Sequence, residues 1–355
     1  INNDPQKLTL LSGFCGILPI YYYTDSQNIL VSSDISQIKN QLDEKVGISK
    51  RFVLEKMLFN YPLFQHTIYE NIWRVPTHHL IELAGSYKIQ RYFDPATLFA
   101  KNPKDSTSES SKFFRKRLRK YWPEKSFAIS LTGGFDGRTL TACALNDKKE
   151  FTTYAFGSSD NPDVIIPAIQ AKKLNIPFKS IFLDEKNYLK KAKDYGLEFV
   201  DQSAGTADLA RAHYVYGAET IGRDHRFLIT GNFGSELFRA MHLTGEMIAY
   251  PTYLFFSGEK PEELLEKAKN MEEYSLLNES NYQEAEKELN ADLEEYTRSN
   301  DHLPLNQKFY VFLLEEVFRK YFGPEIHLQN QYIENRTPFL DFQFVKQLFS
   351  TRLAG

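Results

Sequence analysis

From Phe127 onward the chain alternates short apolar runs with helix-spaced segments, and this alternation restricts the fold more than any other feature. Phe127–Thr132 reads as a strand, Gly137–Leu145 as a helix, Phe151–Phe156 as a strand and Asp163–Leu174 as a helix with Ile165, Ala168 and Ile169 on its apolar face. Phe178–Leu183 and Phe227–Thr230 read as further strands. Parallel neighbours need crossovers of this length, so the pattern predicts an α/β, doubly wound parallel sheet with helices on both faces. Three strand ends carry small or glycine-rich turns: Thr132-Gly133-Gly134, Gly157-Ser158-Ser159 and Gly231-Asn232-Phe233-Gly234. Ligands of open parallel sheets bind beyond the carboxyl ends of the strands, which is where all three turns are expected.

The first turn, Thr132-Gly133-Gly134-Phe135-Asp136-Gly137-Arg138, has the makings of an anion cradle. Gly133 and Gly134 allow close backbone approach. The helix that follows turns its free N–H groups and positive dipole end toward the same spot. Thr132 can donate a hydroxyl hydrogen bond, and Arg138 offers a forked cation suited to phosphate oxygens. Asp136 is out of place beside an anion unless it binds a Mg²⁺ carried by the phosphates. The other reading is a plain tight turn with Asp136 as a helix cap. A Walker loop is absent, and no G-x-G-x-x-G follows a strand.

The 355 residues suggest two domains. Residues 1–95 read as mostly β, with hairpin turns at Asp25–Asn28 and Gly85-Ser86 and a helix at Arg51–Tyr61. Residues 96–125 read as a linker, serine-rich at 101–112, and a basic helix at Phe113–Tyr121 whose Arg115, Lys116, Arg117, Arg119 and Lys120 are expected mainly on a solvated face. Residues 126–355 read as the α/β domain, with acidic surface helices inserted near 257–300. A net charge of -3 gives no basic excess, so no nucleic acid is expected. No stretch approaches ~18 apolar residues, so no membrane span is expected. Two cysteines, Cys15 and Cys143, exclude a disulfide scaffold and a four-cysteine zinc site, and fit a reducing, cytoplasmic setting. Ile1 at the start fits a fragment or a processed product.

The segment Ser130–Asp136 resembles the pyrophosphate loop of the asparagine synthetase family, S-G-G-x-D-S. Phe156–Asp163 is similar to the turn beside the adenine, Leu228–Phe238 to L-x-G-x-G-x-D-E-x-F, and Glu334–Asp341 to E-x-R-x-P-F-L-D. Four motifs in order over residues 127–341 identify the chain as a divergent member of this PP-loop ATP pyrophosphatase family. The resemblance implies an ATP-dependent amide-forming ligase. A substrate carboxylate attacks the α-phosphorus of ATP, pyrophosphate leaves, and an amine or ammonia then displaces AMP. It also implies ATP and Mg²⁺ as cofactors, with a homo-oligomer or a partner protein as company.

Carried onto this chain, the motifs give Thr132, Gly133, Gly134, Asp136, Gly137, Arg138, Phe156, Gly157, Gly231 and Asn232 for the nucleotide. Asp136 and Glu236 would hold metal, and Asp136, Glu236 and Arg336 would act in catalysis. Glu334 and Arg336 fit equally a nucleotide contact and a structural ion pair. The chain departs from the family at four places. Gly137 replaces a serine, Ser235 a second metal-binding aspartate, and Asn232 an active-site carboxylate, while Glu325 and Ile326 stand where an Asp-Lys pair is usual. These departures keep a non-catalytic, nucleotide-binding relative open as the alternative. Tyr21–Lys39 resembles the later half of the family's class II glutaminase, an Ntn-type α+β domain that is here only partial. That domain's nucleophile is an N-terminal cysteine, for which this chain starts too late. Cys15 is expected in the core, and glutamine hydrolysis is not expected of the chain as it stands.

Overall fold

The structure, a computed structural model, describes residues 8–25, 29–42, 46–83, 87–103, 107–239, 249–277 and 279–352. The turn residues 26–28 and 85–86, and residues 104–106 of the serine-rich stretch, lie outside them. The chain forms two compact units. The first comprises Ile1–Thr97, Ala204–Thr206 and Arg239–Gly323, and the second Leu98–Ser203, Ala207–Phe238 and Pro324–Gly355.

The first unit holds two three-stranded antiparallel sheets. Its strands are β1 (Leu8–Leu11), β2 (Tyr21–Thr24), β3 (Ile29–Ser32), β4 (Ile72–Arg74), β5 (His79–Leu83) and β6 (Tyr87–Arg91), paired in the orders β1-β5-β6 and β3-β2-β4. The acidic helices of residues 257–300 belong to this unit, and Glu279–Ser299 packs along Lys50–Phe59. Leu289 and Leu293 are buried there, so the long helix has an apolar seam beneath its acidic face. Leu305–Phe312 runs on into a π-helical stretch, Leu313–Phe322, which buries Glu316, Arg319 and Lys320.

The second unit is the expected α/β layer structure. Its strands are β7 (Phe127–Ser130), β8 (Phe151–Gly157), β9 (Phe178–Phe182), β10 (Phe227–Ile229) and β11 (Glu334–Arg336). All pair in parallel, in the order β11-β10-β7-β8-β9. The chain moves from β7 outward to β9, then returns to lay β10 on the other side of β7. The switch point therefore lies between β7 and β10. Side chains alternate across the sheet: Ala128, Tyr154, Ile181 and Leu228 share one face and pack against Ala218 and Ile221 of the helix His213–Gly222. Right-handed crossovers put Phe135–Asn146 and Pro162–Leu174 on the opposite face. Phe127, on that face, stacks between Trp122 and Phe151 at 5.5 and 6.0 Å. Trp122 Nε1 donates to Asp147 at 3.0 Å, which satisfies the indole while its ring is buried.

One expectation inverts. The helix Pro162–Leu174 buries Val164, Pro167 and Ala171 and leaves Ile165, Ile166 and Ile169 exposed. The helix begins at Pro162, so Pro167 lies beyond its first turn. With apolar residues almost all round, spacing alone does not choose a face, and contact with β8 and β9 decides it.

Candidate active site

The helix Phe135–Asn146 starts directly after the glycine turn, with Gly134 in extended conformation as its N-cap. Thr132 Oγ1 accepts a hydrogen bond from Gly134 N at 3.2 Å, which closes the turn on itself. Arg138 bends back along its own helix: Nε donates to Gly134 O at 2.9 Å, and the guanidinium lies 4.5 Å from the Phe135 ring centre. Phe135 itself is 71% exposed at the sheet edge.

Asp136 points across the switch point to the turn after β10. Its Oδ2 accepts from Ser235 N at 3.1 Å and from Ser235 Oγ at 2.9 Å. Ser235 lies in the first turn of the short helix Gly234–Arg239, whose N–H groups lack intrahelical acceptors. The close approach demands glycine opposite: a Cβ on Gly231 would stand 2.7 Å from Asp136 Cβ, and one on Gly234 2.5 Å from Asp136 Oδ1. Two of the glycine turns named from sequence thus meet, with Asp136 as the link. Ser235 replaces an expected carboxylate, and its hydroxyl donates where a second acid would repel. Glu236 follows on the same helix, 8% exposed. Among the described residues no group of three or more His, Cys, Asp or Glu is arranged to hold a metal.

Gly137 is fixed by space. A Cβ there would stand 2.5 Å from the Ser130 carbonyl oxygen, which belongs to the last residue of β7. Phe156 and Gly157 end β8, and Phe156 is in ring contact with His213 at 5.0 Å and Tyr214 at 5.5 Å. Helix His213–Gly222 runs antiparallel to the strands it connects, so its N-terminal residues lie at the carboxyl edge of the sheet.

Sequence reasoning missed a polar cluster beside this edge. Glu325, on helix Gly323–Gln329, is 2% exposed. It accepts from Arg211 Nη2 at 2.8 Å, Asn232 Nδ2 at 3.1 Å and Gln329 Nε2 at 3.4 Å. Burial pushes the Glu325 carboxyl above the ordinary carboxylate range, against the opposing charge of Arg211 and these hydrogen bonds. The Arg211 guanidinium also lies over the rings of Tyr214 and Phe199, at 5.1 and 6.0 Å. Arg211 sits in no motif and 114 residues before Glu325, so no local signal marks it.

Arg336, on β11, is engaged by its own strand, by β10 and by the segment before β7. It pairs with Glu334 at 2.7 Å, donates to Tyr121 O at 3.0 Å and lies 4.6 Å from the Phe227 ring centre. Nearby, Arg117 binds Asp341 with two hydrogen bonds, at 2.7 and 2.6 Å, and Asp341 caps the last helix through Phe344 N at 2.9 Å. One residue of the basic helix is thereby drawn off its solvated face.

A five-stranded parallel sheet with a glycine turn at its switch point defines an open, doubly wound α/β domain. The chain belongs to the asparagine synthase family: the family so described matches residues 115–354. At family level this is a domain of ATP-dependent amide-forming ligases. The chain is also similar to the NH3-dependent NAD synthetase of Campylobacter jejuni, solved in complex with a nitrate ion. The two are 15% identical over 60% of this chain and 98% of that one, with a TM-score of 0.27. No curated protein matches. Among the described residues no helix is long and apolar enough to cross a membrane.

Proposed function

We propose that the second unit activates a carboxylate with ATP, as an acyl-adenylate with release of pyrophosphate, and passes the acyl group to an amine or ammonia. The observation that carries this reading is the placement of Asp136, held by Ser235 and packed on Gly231 at the switch point between β7 and β10. A parallel sheet opens there for a ligand. The N–H groups at the start of helix Phe135–Asn146 would receive the pyrophosphate oxygens as charge builds on them. Phe156 and Gly157 are on the adenine side. Arg138 would swing from Gly134 O toward the phosphates, a small movement for a half-buried side chain.

The donor set fits Mg²⁺ of the kind that arrives with phosphates, which takes one or two carboxylates from the protein and fills its shell with water and phosphate oxygen. Asp136 would hold it, with Glu236 the second acid on the facing helix. When bound, the metal would supply neutralisation of the leaving pyrophosphate. Ser235 fixes the Asp136 rotamer through two hydrogen bonds and so keeps the carboxylate at the crevice. No protein nucleophile is required, because holding carboxylate and α-phosphate in line supplies much of the acceleration.

A second reading, nucleotide binding without turnover, draws on the same contacts. Asp136 Oδ2 already caps the Gly234–Arg239 helix, and Gly137 brings no hydroxyl. Acid-dependent ATP–pyrophosphate exchange, measured over a panel of amino acids, dicarboxylates and keto acids, separates the two. The ligase reading expects exchange with at least one acid and a fall of about 10²–10³-fold in Asp136→Ala. Exchange that survives Asp136→Ala intact would remove Asp136 from the chemistry. ATP binding by calorimetry without exchange for any acid would leave only the second reading.

A further inference from the structure

In the first unit one buried cation stands apart from the others. Arg51 pairs with Glu55 at 2.6 Å and with Asp292 at 2.8 Å, and Glu316 serves both Arg319 at 2.9 Å and Lys320 at 3.4 Å. Arg74, at the end of β4, is 5% exposed and has no carboxylate partner among the described residues. Its guanidinium makes one hydrogen bond, from Nη2 to Gly16 O at 2.8 Å. A guanidinium carries five N–H donors, so most of those on Arg74 are uncommitted. Burial and the charge of Arg319 lower Arg74 only to about 10, so it keeps its proton at neutral pH. A buried charge with no counterpart is strongly unfavourable.

Arg74 lines a small cavity of about 10 Å³, room for one water-sized particle, together with Tyr21, His66, Thr67, Thr206 and Lys320. Its walls all belong to the first unit, and none of them is a carboxylate. Tyr21 pairs with Arg74 across the β2–β4 ladder, so both side chains leave the sheet on one face. The Tyr21 hydroxyl, close to the charges of Arg74 and Arg319, has no hydrogen-bond partner among the described residues. The Lys320 ammonium commits its three protons to Pro62 O, Phe64 O and Glu316, so it gives the cavity charge rather than a hydrogen bond. We propose that this cavity is a halide site, in which one chloride ion accepts N–H groups of Arg74 and the O–H of Tyr21. Three features select that ligand. The volume admits a monatomic ion and excludes phosphate, sulfate or a carboxylate. The groups left open, a guanidinium and a phenol, suit an ion that only accepts. Arg319 and Lys320 already divide Glu316 between them, so a water molecule would fill the space and leave the charge of Arg74 unmatched. Bound there, the anion ties β2 and β4 to the π-helical stretch that carries Lys320.

Two measurements on the full chain test this. In the first, thermal unfolding is followed at constant pH and ionic strength while sodium gluconate, whose anion is too large for the cavity, is exchanged for sodium chloride. Once the site fills, the midpoint should rise by about 3–5 °C for each tenfold increase in chloride. In the second, crystals soaked in sodium bromide should show anomalous density in the cavity beside Arg74. Tyr21→Phe keeps the ring and removes one donor, so the rise should begin at about tenfold higher chloride. Arg74→Met should abolish the chloride response, and where that variant fails to fold, Tyr21→Phe decides. Equal midpoints in gluconate and chloride, bromide density only elsewhere, or an unchanged onset in Tyr21→Phe would overturn the assignment and leave the cavity to water. None of these outcomes depends on the chemistry of the second unit, so the ligase reading stands or falls apart from them.

Discussion

The two units bury charge to different ends. In the first, the charged groups of the π-helical stretch peg loop backbone in place. Lys320 Nζ donates to Pro62 O and Phe64 O at 2.8 and 2.7 Å, Arg319 Nη1 to Val75 O at 2.9 Å, and Glu316 accepts from Phe64 N at 2.8 Å. These carbonyls and amides lie in segments without ladder partners, and a buried backbone group must be paired somewhere. In the second unit the buried Glu325 meets side-chain amides at the open edge of a sheet. A buried charge is therefore not itself the mark of a site: in one unit it holds loop backbone, in the other side-chain amides beside a strand end.

The comparison breaks most sharply at Glu316. Glu316→Ala leaves Arg319 and Lys320 buried without their carboxylate and should cost about 3–5 kcal/mol in urea unfolding. A cost near zero would mean that these charges do not hold the first unit together. Next comes Lys320, whose amine burial pushes down to about 7 against the pull of Glu316. The folded chain then binds fewer protons than the unfolded one between pH 7 and the ordinary lysine value. Stability should rise with pH across that window, with a slope of up to about 1.4 kcal/mol per pH unit, and Lys320→Met should flatten it. Urea midpoints at pH 7, 8 and 9 read this directly.

The smallest effect sharpens the contrast from the second unit. Burial pushes Asp341 up, but the Arg117 hydrogen bonds and charge, the Phe344 N–H and Tyr121 outweigh it and hold the carboxyl below its usual range. That stability is complete above the ordinary aspartate value and is lost as pH falls through the folded one. Asp341→Asn should cost about 2 kcal/mol at pH 7, with the difference from wild type shrinking in acid. A difference that grows in acid would contradict the assignment.

Much of the second unit is legible in the sequence because both of its signals are local. Strand–helix alternation needs only a window of residues, and the turns announce themselves by glycine. The meeting of Gly231 and Gly234 with Asp136 follows from placing the turns after β7 and β10 at one edge. What stays hidden is long-range or symmetric. Arg211 finds Glu325 across the fold with no spacing to betray it, and the helix Pro162–Leu174 offers apolar residues to both sides, so packing alone selects Val164, Pro167 and Ala171. Arg336 illustrates a middle case: its motif marks the segment Glu334–Asp341, while the strand β11 and the partners Glu334, Tyr121 and Phe227 emerge only from the fold.

The crowding at Gly137 sets a cost on putting a hydroxyl back into the turn. A Cβ there would stand 2.5 Å from the Ser130 carbonyl oxygen, so Gly137→Ser has to move the end of β7 before its hydroxyl can serve a ligand.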